Sequence, residues 1–378
     1  MTRKIPLFKI YWDEEDVRSV TDVVRRGSYW ATGQEVREFE ERISEYVGTK
    51  YAVTFNSGTS ALHALLLACD IKQGDEVIVP SFTFIATANA PLFVGAKPVF
   101  ADIEDRTYGL DPEDVEKRIT AKTKAILPIH YGGCPCSIRE LREIAEDYNL
   151  LLIEDAAESL GAKIKDKKVG TFGEFAMFSF CQNKVITTGE GGAIITDSKE
   201  SYEKLKLIRS HGRLETQDYF SSTEYMDYVT LGYNLRMSTM TAALGLSQLM
   251  KVDKIIKMRQ DKAKYMTKKL SKNKEITLPI APPDYFHVYQ MYLVRISENL
   301  RDDLMKYLSG EGIATNVYFR PVHLTQFYRT NFGYKGGELH ITEEVSNQVL
   351  SLPMYPTLTE WEIDHIIEKI DCFLEEKR

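Results

Sequence analysis

The chain has 378 residues, of which 43% are hydrophobic and 27% are charged, a composition that is ordinary for a globular protein with a large buried core. Its formal net charge of −7 disfavours nucleic-acid binding through a broad basic surface. The N-terminal stretch lacks the apolar core of a signal peptide, and the apolar runs are far shorter than the ~20 residues of a membrane helix. We therefore expect a cytoplasmic protein without nucleic-acid or membrane partners.

The five cysteines are scattered along the chain. An odd, scattered set argues against a disulfide framework and is typical of thiols in a reducing compartment. Cys134 and Cys136 are one residue closer than the usual C-x-x-C metal spacing, and no second pair accompanies them. We predict no metal site.

Short apolar runs alternate with helical patterns over the first two thirds of the chain. The predicted strands are Tyr51–Phe55, Glu76–Pro80, Pro98–Ala101, Ala125–Ile129, Leu150–Ile153, Glu174–Phe180 and Ala193–Thr196. The predicted helices are Asp13–Arg26, a segment ending at Cys69, Ile85–Val94 and Ser137–Tyr148. Fully apolar runs suit strands that are covered on both faces, so the alternation predicts an α/β sandwich with a mainly parallel sheet.

The pattern changes after about residue 250. A long basic helix is predicted at Lys251–Lys274, a strand near Tyr289–Ile296, and helices near Arg301–Leu308 and at Glu360–Glu376. This succession indicates a second, smaller α+β domain. We divide the chain into a lead-in segment, a large domain and a small C-terminal domain, at residues 1–30, 31–250 and 251–378.

The first chemical motif is Ser57-Gly58-Thr59-Ser60, between a predicted strand and a predicted helix. A helix N-terminus presents unpaired N–H groups and partial positive charge, which suits a phosphate. Gly58 allows the backbone to approach closely, and the hydroxyls add hydrogen bonds. The alternative is that Ser57 and Thr59 serve only the helix, because Ser and Thr are good N-caps.

The second motif is the apolar strand that ends in Glu154-Asp155, followed by Ala156-Ala157-Glu158. Ligands of open α/β sheets bind beyond the carboxyl ends of the strands, and Asp155 falls at such an end. A carboxylate there can keep a pyridine nitrogen protonated, which makes the ring an electron sink. The alternative is an aspartate that caps the next helix.

The third motif places Lys184 in a turn between two predicted strands, with the glycine-rich run Gly189–Gly192 after it. A Schiff-base lysine needs access, an apolar surrounding that lowers its pKa, and room for a ring. Lysines are usually solvated charges, but this one follows the aromatic strand Phe178–Phe180. The three motifs follow the order phosphate, pyridine nitrogen and aldehyde, and together they match pyridoxal 5′-phosphate. Neither G-x-x-x-x-G-K-[ST] nor a strand-linked G-x-G-x-x-G occurs.

At this point the sequence resembles the DegT/DnrJ family of sugar aminotransferases, a branch of the fold-type I pyridoxal-phosphate enzymes. The likeness covers nearly the whole chain. It is carried, in this order, by Asn56–Leu62, Val79–Thr87, Glu154–Gly161, Phe178–Lys184, Gly232–Met237 and Ala242–Leu249. The resemblance implies an α/β fold: a large domain with a mainly parallel seven-stranded sheet flanked by helices, and a smaller C-terminal α+β domain.

The resemblance also implies a role for each matching residue. Lys184 and Asp155 are expected to be catalytic. The implied cofactor-binding residues are Gly58, Thr59, Phe84, Asp155, Glu158, Ser179, Lys184 and Asn234. Of these, Gly58, Thr59 and Ser179 would bind the phosphate.

Three further roles follow from the same likeness. Phe84 would stack on the cofactor ring, and Glu158 would approach the hydroxyl edge of that ring. Asn234 would reach the phosphate in the neighbouring subunit, which implies a homodimer with shared active sites.

Three residues are predicted to bind substrate. His323 lies in a stretch that matches the family's sugar-holding part, with a packing role as the alternative. His211 and Arg213 resemble a loop at the mouth of the active site. Arg213 is predicted to pair with a diphosphate, and a solvated arginine is the alternative.

The predicted activity is transfer of an amino group from L-glutamate to a nucleotide-linked 4-keto-6-deoxy sugar by a ping-pong cycle. This is the chemistry of the perosamine-synthase-like branch, and it indicates a role in polysaccharide or O-antigen biosynthesis. Three alternatives remain: a 3-keto sugar aminotransferase, a non-catalytic regulator that keeps the pyridoxal-phosphate fold, and a nucleotide-binding module without the cofactor.

Overall fold

A computed structural model of the protein describes residues 4–214 and 226–377. Its α-helices over these ranges are α1 (Glu14–Arg26), α2 (Gln34–Val47), α3 (Gly58–Ala68), α4 (Ile85–Phe93), α5 (Pro112–Arg118), α6 (Ile138–Asp147), α7 (Lys199–Arg209), α8 (Thr239–Leu249), α9 (Val252–Leu270), α10 (Glu298–Gly310), α11 (Gln326–Phe332), α12 (His340–Gln348) and α13 (Glu360–Lys377). None of the described helices is long and apolar enough to cross a membrane.

The strands form a large sheet and two small ones. They are β1 (Tyr51–Phe55), β2 (Glu76–Pro80), β3 (Lys97–Ala101), β4 (Thr123–Ile126), β5 (Leu151–Asp155), β6 (Lys163–Ile164), β7 (Lys167–Lys168), β8 (Phe175–Ser179), β9 (Gly192–Thr196), β10 (Tyr285–Phe286), β11 (Tyr292–Arg295) and β12 (Val349–Leu352). The large sheet has seven strands in the order β1-β9-β8-β5-β4-β2-β3.

The large sheet is parallel except for β9, which pairs antiparallel with both β1 and β8. The other pairings, from β8 through β5, β4 and β2 to β3, are parallel. The prediction of an α/β fold with a mainly parallel seven-stranded sheet is therefore confirmed. Because β1 and β8 both run opposite to β9, the carboxyl ends of β1, β2, β5 and β8 lie along the same edge of the sheet.

For two of the predicted strands that are shorter in the structure, the backbone shows a local cause. The strand predicted at Ala125–Ile129 ends at Ile126, and a single bridge joins Ile129 to Asp155 farther on. Pro128 lies between them and has no N–H with which to continue the ladder. The strand predicted from Tyr289 begins at Tyr292, since Tyr289 has a φ of 50° and the left-handed conformation interrupts an extended chain.

Separate hydrophobic clusters cover the two halves of the molecule. One buries both strands of the β11–β12 sheet with α10 and α13, and it also includes Ile5 from the lead-in segment. Helix α9 belongs to two clusters, because Val252 and Ile255 pack with the large sheet whereas Met266 and Leu270 pack with the C-terminal part. The division at residue 250 stays a prediction, and α9 bridges the two parts that it would separate.

A further cluster joins the two parts beside the carboxyl edge of the large sheet. It combines Phe82, Ile129 and Tyr131 from that edge with Met291 and Leu293 from the C-terminal part. Burying these side chains against one another fixes the C-terminal part over the strand ends. The candidate site lies at this junction.

Candidate active site

The first turn of α3 forms a cradle at the end of β1. Ser57 is the N-cap, and its Oγ accepts a hydrogen bond from the N–H of Ser60 at 3.1 Å. The N–H groups of Gly58 and Thr59 belong to the same turn and have no carbonyl partner within the helix. They are therefore oriented for an external anion.

The centre of this cradle is closely packed around two glycines. A Cβ on Gly58 would lie 3.0 Å from Met177 Sδ and 3.4 Å from Ser179 Oγ. A Cβ on Gly192, in the adjacent strand β9, would lie 2.7 Å from the backbone of Gly58. The close approach brings the Ser179 hydroxyl next to the α3 N-terminus, as the predicted phosphate site requires. Gly58, Thr59 and Ser179 thus lie together.

Asp155 ends strand β5 and is almost completely buried. Its Oδ2 accepts a hydrogen bond from Thr87 Oγ1 at 2.7 Å, and its Oδ1 accepts one from the N–H of Ala157 at 3.1 Å. Burial raises the pKa of Asp155, while the Thr87 and Ala157 hydrogen bonds and the nearby Lys184 ammonium act in the opposite direction.

Lys184 and Glu158 form the polar pair of the pocket. Lys184 Nζ lies 3.3 Å from Glu158 Oε1, and the lysine side chain is only 12% exposed. The other oxygen of Glu158 accepts a hydrogen bond from the N–H of Gly132 at 2.8 Å. Both members of this pair act electrostatically on Asp155, so the amine, the acid and Glu158 share one pocket.

The turn that carries Lys184 is held from the C-terminal part. The N–H of Lys184 donates to Cys181 O at 3.0 Å, which closes the turn. Gln290 Nε2 donates to the carbonyl of Asn183, the residue before the lysine. Arg259, which is buried, donates to the carbonyl of Gln290 at 3.3 Å. The residues that hold the amine in place therefore come from both parts of the chain.

Phe84 is the N-cap residue of α4 and is 52% exposed. Its ring lies 5.5 Å from that of Phe319, a distance typical of aromatic pairs. An exposed aromatic ring one turn away from Thr87, which contacts Asp155, suits the predicted stacking role. That role stays a prediction.

Glu154 is a buried carboxylate whose importance the sequence did not reveal. It points away from Asp155, because successive side chains of a strand lie on opposite faces. Its oxygens accept four hydrogen bonds of 2.7 to 2.9 Å, from His130 Nε2 and the N–H groups of Gly170, Phe172 and Gly173. The network fixes the end of β5 and thereby the residue next to it.

The tautomer of His130 follows from its partners. Its Nδ1 accepts a hydrogen bond from the N–H of Cys136 at 3.1 Å, so the ring hydrogen is on Nε2 and points to Glu154. Donors thus occupy both carboxylate oxygens of Glu154.

We expect the Glu154→Gln protein to unfold with a free energy about 2–4 kcal/mol lower than that of the unchanged protein. The amide nitrogen would face N–H donors and leave at least one of them unsatisfied. Urea denaturation monitored by circular dichroism measures the change. Glu143→Gln, at an exposed position of α6, is the matched control, and equal unfolding midpoints for both variants would contradict the expectation.

His323 is completely buried, with a partner at each ring nitrogen. Nδ1 lies 2.6 Å from Ser81 Oγ, and Nε2 lies 3.2 Å from Glu343 Oε1. Burial lowers the pKa of His323, and Glu343 acts in the opposite direction. These contacts are those expected of a histidine with a packing role. A contact of His323 with a substrate stays a prediction.

The same histidine belongs to the one group of possible metal ligands in the described residues, with Glu338 and Glu343. Their ligand atoms lie within 4.8 Å of one another. Both carboxylates accept backbone N–H groups of the loop that precedes α12, Glu338 from Lys335 and Gly336 and Glu343 from Gly337. Loop structure accounts for this arrangement.

The remaining predicted residues lie in the segments that follow α7 and precede α8. His211 is exposed, and Arg213 is 5% exposed and joined by a bridge to Tyr228. Asn234 is exposed, and the carbonyl of the next residue accepts the N–H of Asn56 at 2.9 Å, just before the α3 cradle. The interface role of Asn234 and the substrate roles of His211 and Arg213 stay predictions.

These residues fit pyridoxal phosphate on the structure's own geometry. The cradle at Gly58 would hold the phosphate, which needs N–H donors and space that a Cβ would fill. Asp155 would pair with the ring nitrogen, and Lys184 would reach the aldehyde. Because proteins with the same fold can have unrelated sites, the fold alone does not predict that these residues lie together.

Comparisons with known proteins agree with this assignment. The model of the DegT/DnrJ/EryC1/StrS aminotransferase family matches residues 11–371. A GDP-perosamine synthase of Caulobacter vibrioides is 39% identical, over 91% of each chain. A pleiotropic regulatory protein of Geobacillus stearothermophilus is 37% identical, over 95% of this chain and 94% of its own.

A solved structure with the same fold is that of PseC from Helicobacter pylori, an aminotransferase involved in the biosynthesis of pseudoaminic acid. It superimposes with a TM-score of 0.93 at 29% identity and covers 99% of this chain and 100% of its own. The similarity extends over both parts of the molecule.

Proposed function

Because the chain belongs to the DegT/DnrJ/EryC1/StrS aminotransferase family of pyridoxal-phosphate enzymes, we propose that it aminates a nucleotide-linked 4-keto-6-deoxy sugar with L-glutamate as donor. Glutamate leaves as 2-oxoglutarate, and the sugar leaves as its 4-amino derivative. The two substrates use the same site in turn, in a ping-pong cycle.

The observation that carries the proposal is the meeting of three groups at one edge of the sheet. The α3 cradle can hold a phosphate, Asp155 supplies a buried negative charge, and Lys184 supplies an amine 3.3 Å from Glu158. A nucleotide-binding module needs the first of these but has no use for the other two.

The residues divide the chemistry among them. Bound pyridoxal phosphate supplies an electron sink for negative charge at the substrate carbon. Asp155 keeps the ring nitrogen protonated through its own charge. Lys184 Nζ removes the proton from the α-carbon of glutamate and, in the second half of the cycle, delivers a proton to the sugar carbon that becomes aminated.

Glu158 holds the Lys184 amine in position. Its carboxylate is held by the N–H of Gly132 and accepts from Lys184 Nζ, so the amine stays in the pocket when it is not bonded to the cofactor.

Amination at C4 is supported by the relatives named GDP-perosamine synthase, at 39% and 37% identity. A Bacillus subtilis relative named spore coat polysaccharide biosynthesis protein SpsC, at 33% identity, supports polysaccharide biosynthesis as the process that we propose here. We also propose a homodimer with shared active sites, supported by the exposed Asn234 next to the α3 cradle. The five unpaired cysteines support a cytoplasmic location.

Two alternatives remain. Amination at C3 needs the same catalytic residues and differs in how the sugar is oriented. A regulator without catalysis is favoured by the relative named pleiotropic regulatory protein, at 37% identity. The complete set of Asp155, Glu158 and Lys184 weighs against a protein that has lost its chemistry.

A substrate panel tests the proposal. Cofactor-loaded protein is incubated with L-glutamate and with 4-keto-6-deoxy or 3-keto sugars linked to GDP, dTDP or UDP, and 2-oxoglutarate is measured. Product NMR then locates the new amine. Amination at C3 would replace the proposal with its first alternative. If glutamate does not change the absorption spectrum of the loaded protein, the regulator is favoured.

A further inference from the structure

Two threonines at the start of α4 form a chain of hydrogen bonds that ends on Asp155. Thr83 Oγ1 lies 2.8 Å from Thr87 Oγ1, and Thr87 Oγ1 lies 2.7 Å from Asp155 Oδ2. Both threonines are 1% exposed, so water does not compete for these hydroxyls. The chain joins the residues after β2 to the end of β5.

The direction of this chain follows from counting hydrogens. An ionised carboxylate only accepts, so the single hydroxyl hydrogen of Thr87 points to Asp155. The hydrogen between the two threonines must then come from Thr83. Each bond polarises the next, and both stabilise negative charge on Asp155.

The local structure of α4 sets up this arrangement. Phe84 is the N-cap, so Thr87 is the third residue of the helix and Thr83 is four residues before it, on the same side. The carboxylate of Asp155 therefore lies against the first turn of α4, where the helix dipole favours an anion. The sequence Thr83-Phe84-Ile85-Ala86-Thr87 thus directs its two hydroxyls toward Asp155 and leaves the Phe84 ring exposed.

We propose that Thr83 and Thr87 act as a relay that fixes the orientation and the negative charge of Asp155, which makes Thr87 a positioning residue for the cofactor nitrogen. The inference rests on the role that the proposed function gives to Asp155. Thr87 holds Oδ2 from the α4 side and the Ala157 N–H holds Oδ1 from the chain beyond β5, so the carboxylate plane cannot rotate freely.

The charged surroundings of Asp155 give the relay its effect. Burial raises the pKa of Asp155, and Glu158 adds to this rise. Thr87, the Ala157 N–H and Lys184 act in the opposite direction. Without the Thr87 hydroxyl the pKa of Asp155 therefore rises further, and the carboxylate takes up a proton at a higher pH than in the unchanged protein.

Binding of pyridoxal phosphate to the apo protein tests the relay. We expect Thr87→Val to raise the dissociation constant about 10-fold to 100-fold at neutral pH, since one hydrogen bond to a charged group is lost. The pH below which binding weakens should also move upward. Thr87→Ser keeps the hydroxyl and should retain both the affinity and the pH profile.

Thr83→Val removes the outer hydroxyl without changing the side chain that contacts Asp155. We expect it to weaken binding about threefold, with a smaller upward shift of the pH profile. This variant also tests the relay if Thr87→Val fails to fold. Thr267→Val is the matched control, because it loses a half-buried hydroxyl paired with Tyr292 at 2.7 Å in the C-terminal part.

Comparison with Asp155→Asn separates the relay from the proposed role of Asp155. If Asp155→Asn weakens binding but Thr87→Val and Thr83→Val do not, the relay is wrong and the role of Asp155 stands. If Asp155→Asn also binds normally, that role itself is wrong. An affinity loss in Thr87→Val that is equal at every pH, without a shifted profile, would indicate a packing defect and would overturn the relay.

Discussion

Amino transfer by the Lys184→Ala protein is expected to fall by roughly 10³-fold or more, because the substitution removes the amine that is proposed both to bond to the cofactor and to transfer the proton. The visible absorption band that arises from the lysine-bound cofactor should disappear as well. Steady-state release of 2-oxoglutarate and an absorption spectrum of the loaded protein measure the two effects.

Two variants and one chemical experiment make this test specific. Lys184→Arg keeps a positive charge beside Glu158, so it controls for an unpaired buried carboxylate, but arginine stays protonated and cannot bond to the aldehyde. Lys264→Ala, at an exposed position of α9, should be fully active. Borohydride reduction followed by peptide mass spectrometry should find the cofactor on Lys184. A label on another lysine, or activity in either Lys184 variant, would remove the basis of the proposed function.

Amino transfer by the Asp155→Asn protein is expected to fall by about 10²-fold to 10³-fold, which is the usual effect of removing one preorganised group that stabilises charge in an enzyme active site. Asparagine has nearly the same shape, and its amide oxygen can accept from the Ala157 N–H while its amide nitrogen donates to Thr87 Oγ1. It cannot carry the charge that is proposed to keep the ring nitrogen protonated. Kinetics with saturating cofactor measure the loss. Asp147→Asn, at an exposed position of α6, is the matched control and should be fully active. Normal turnover by Asp155→Asn would contradict the proposed role.

The same substitution should not destabilise the apo protein. Burial raises the pKa of Asp155 above its ordinary value of 3.8, so the folded state holds its proton more tightly than the unfolded state does. The stability that this group contributes at low pH is therefore lost as the pH rises from the pKa of the unfolded state through the higher pKa of the folded state. At neutral pH the ionised residue disfavours folding. The urea midpoint of apo Asp155→Asn should equal or exceed that of the unchanged protein. A lower midpoint at neutral pH would contradict this reading.

The fold could be predicted as far as local patterns determine it. Apolar runs such as Tyr51–Phe55 and Glu76–Pro80 predict buried strands at the observed positions. The direction of a strand cannot be predicted in this way, because β9 is as apolar as β1 and β8 and yet runs antiparallel to both. Strand β12 follows α12 without a break, so no turn residues marked its start.

In the candidate site, too, the sequence predicts some residues and misses others. Asp155, Lys184 and the Gly58 cradle each stand at the end of a predicted strand, where chain order alone brings them to one edge of the sheet. Thr87 contacts Asp155 from 68 residues away, and Gln290 contacts Asn183 from 107 residues away. A short motif cannot specify such pairs, since they depend on how α4 and the C-terminal part pack.

The amide of Gln290 joins the turn that carries Lys184 to the part of the chain that follows residue 250. Arg259 holds the carbonyl of Gln290 and, at 3.2 Å, that of Met354, so three distant segments meet behind the lysine turn. A change of sugar preference obtained by repacking those segments would shift Asn183 and, with it, the nitrogen at position 184. The position of the Lys184 amine therefore depends on packing in the C-terminal part, and we expect substitutions at this junction to change it.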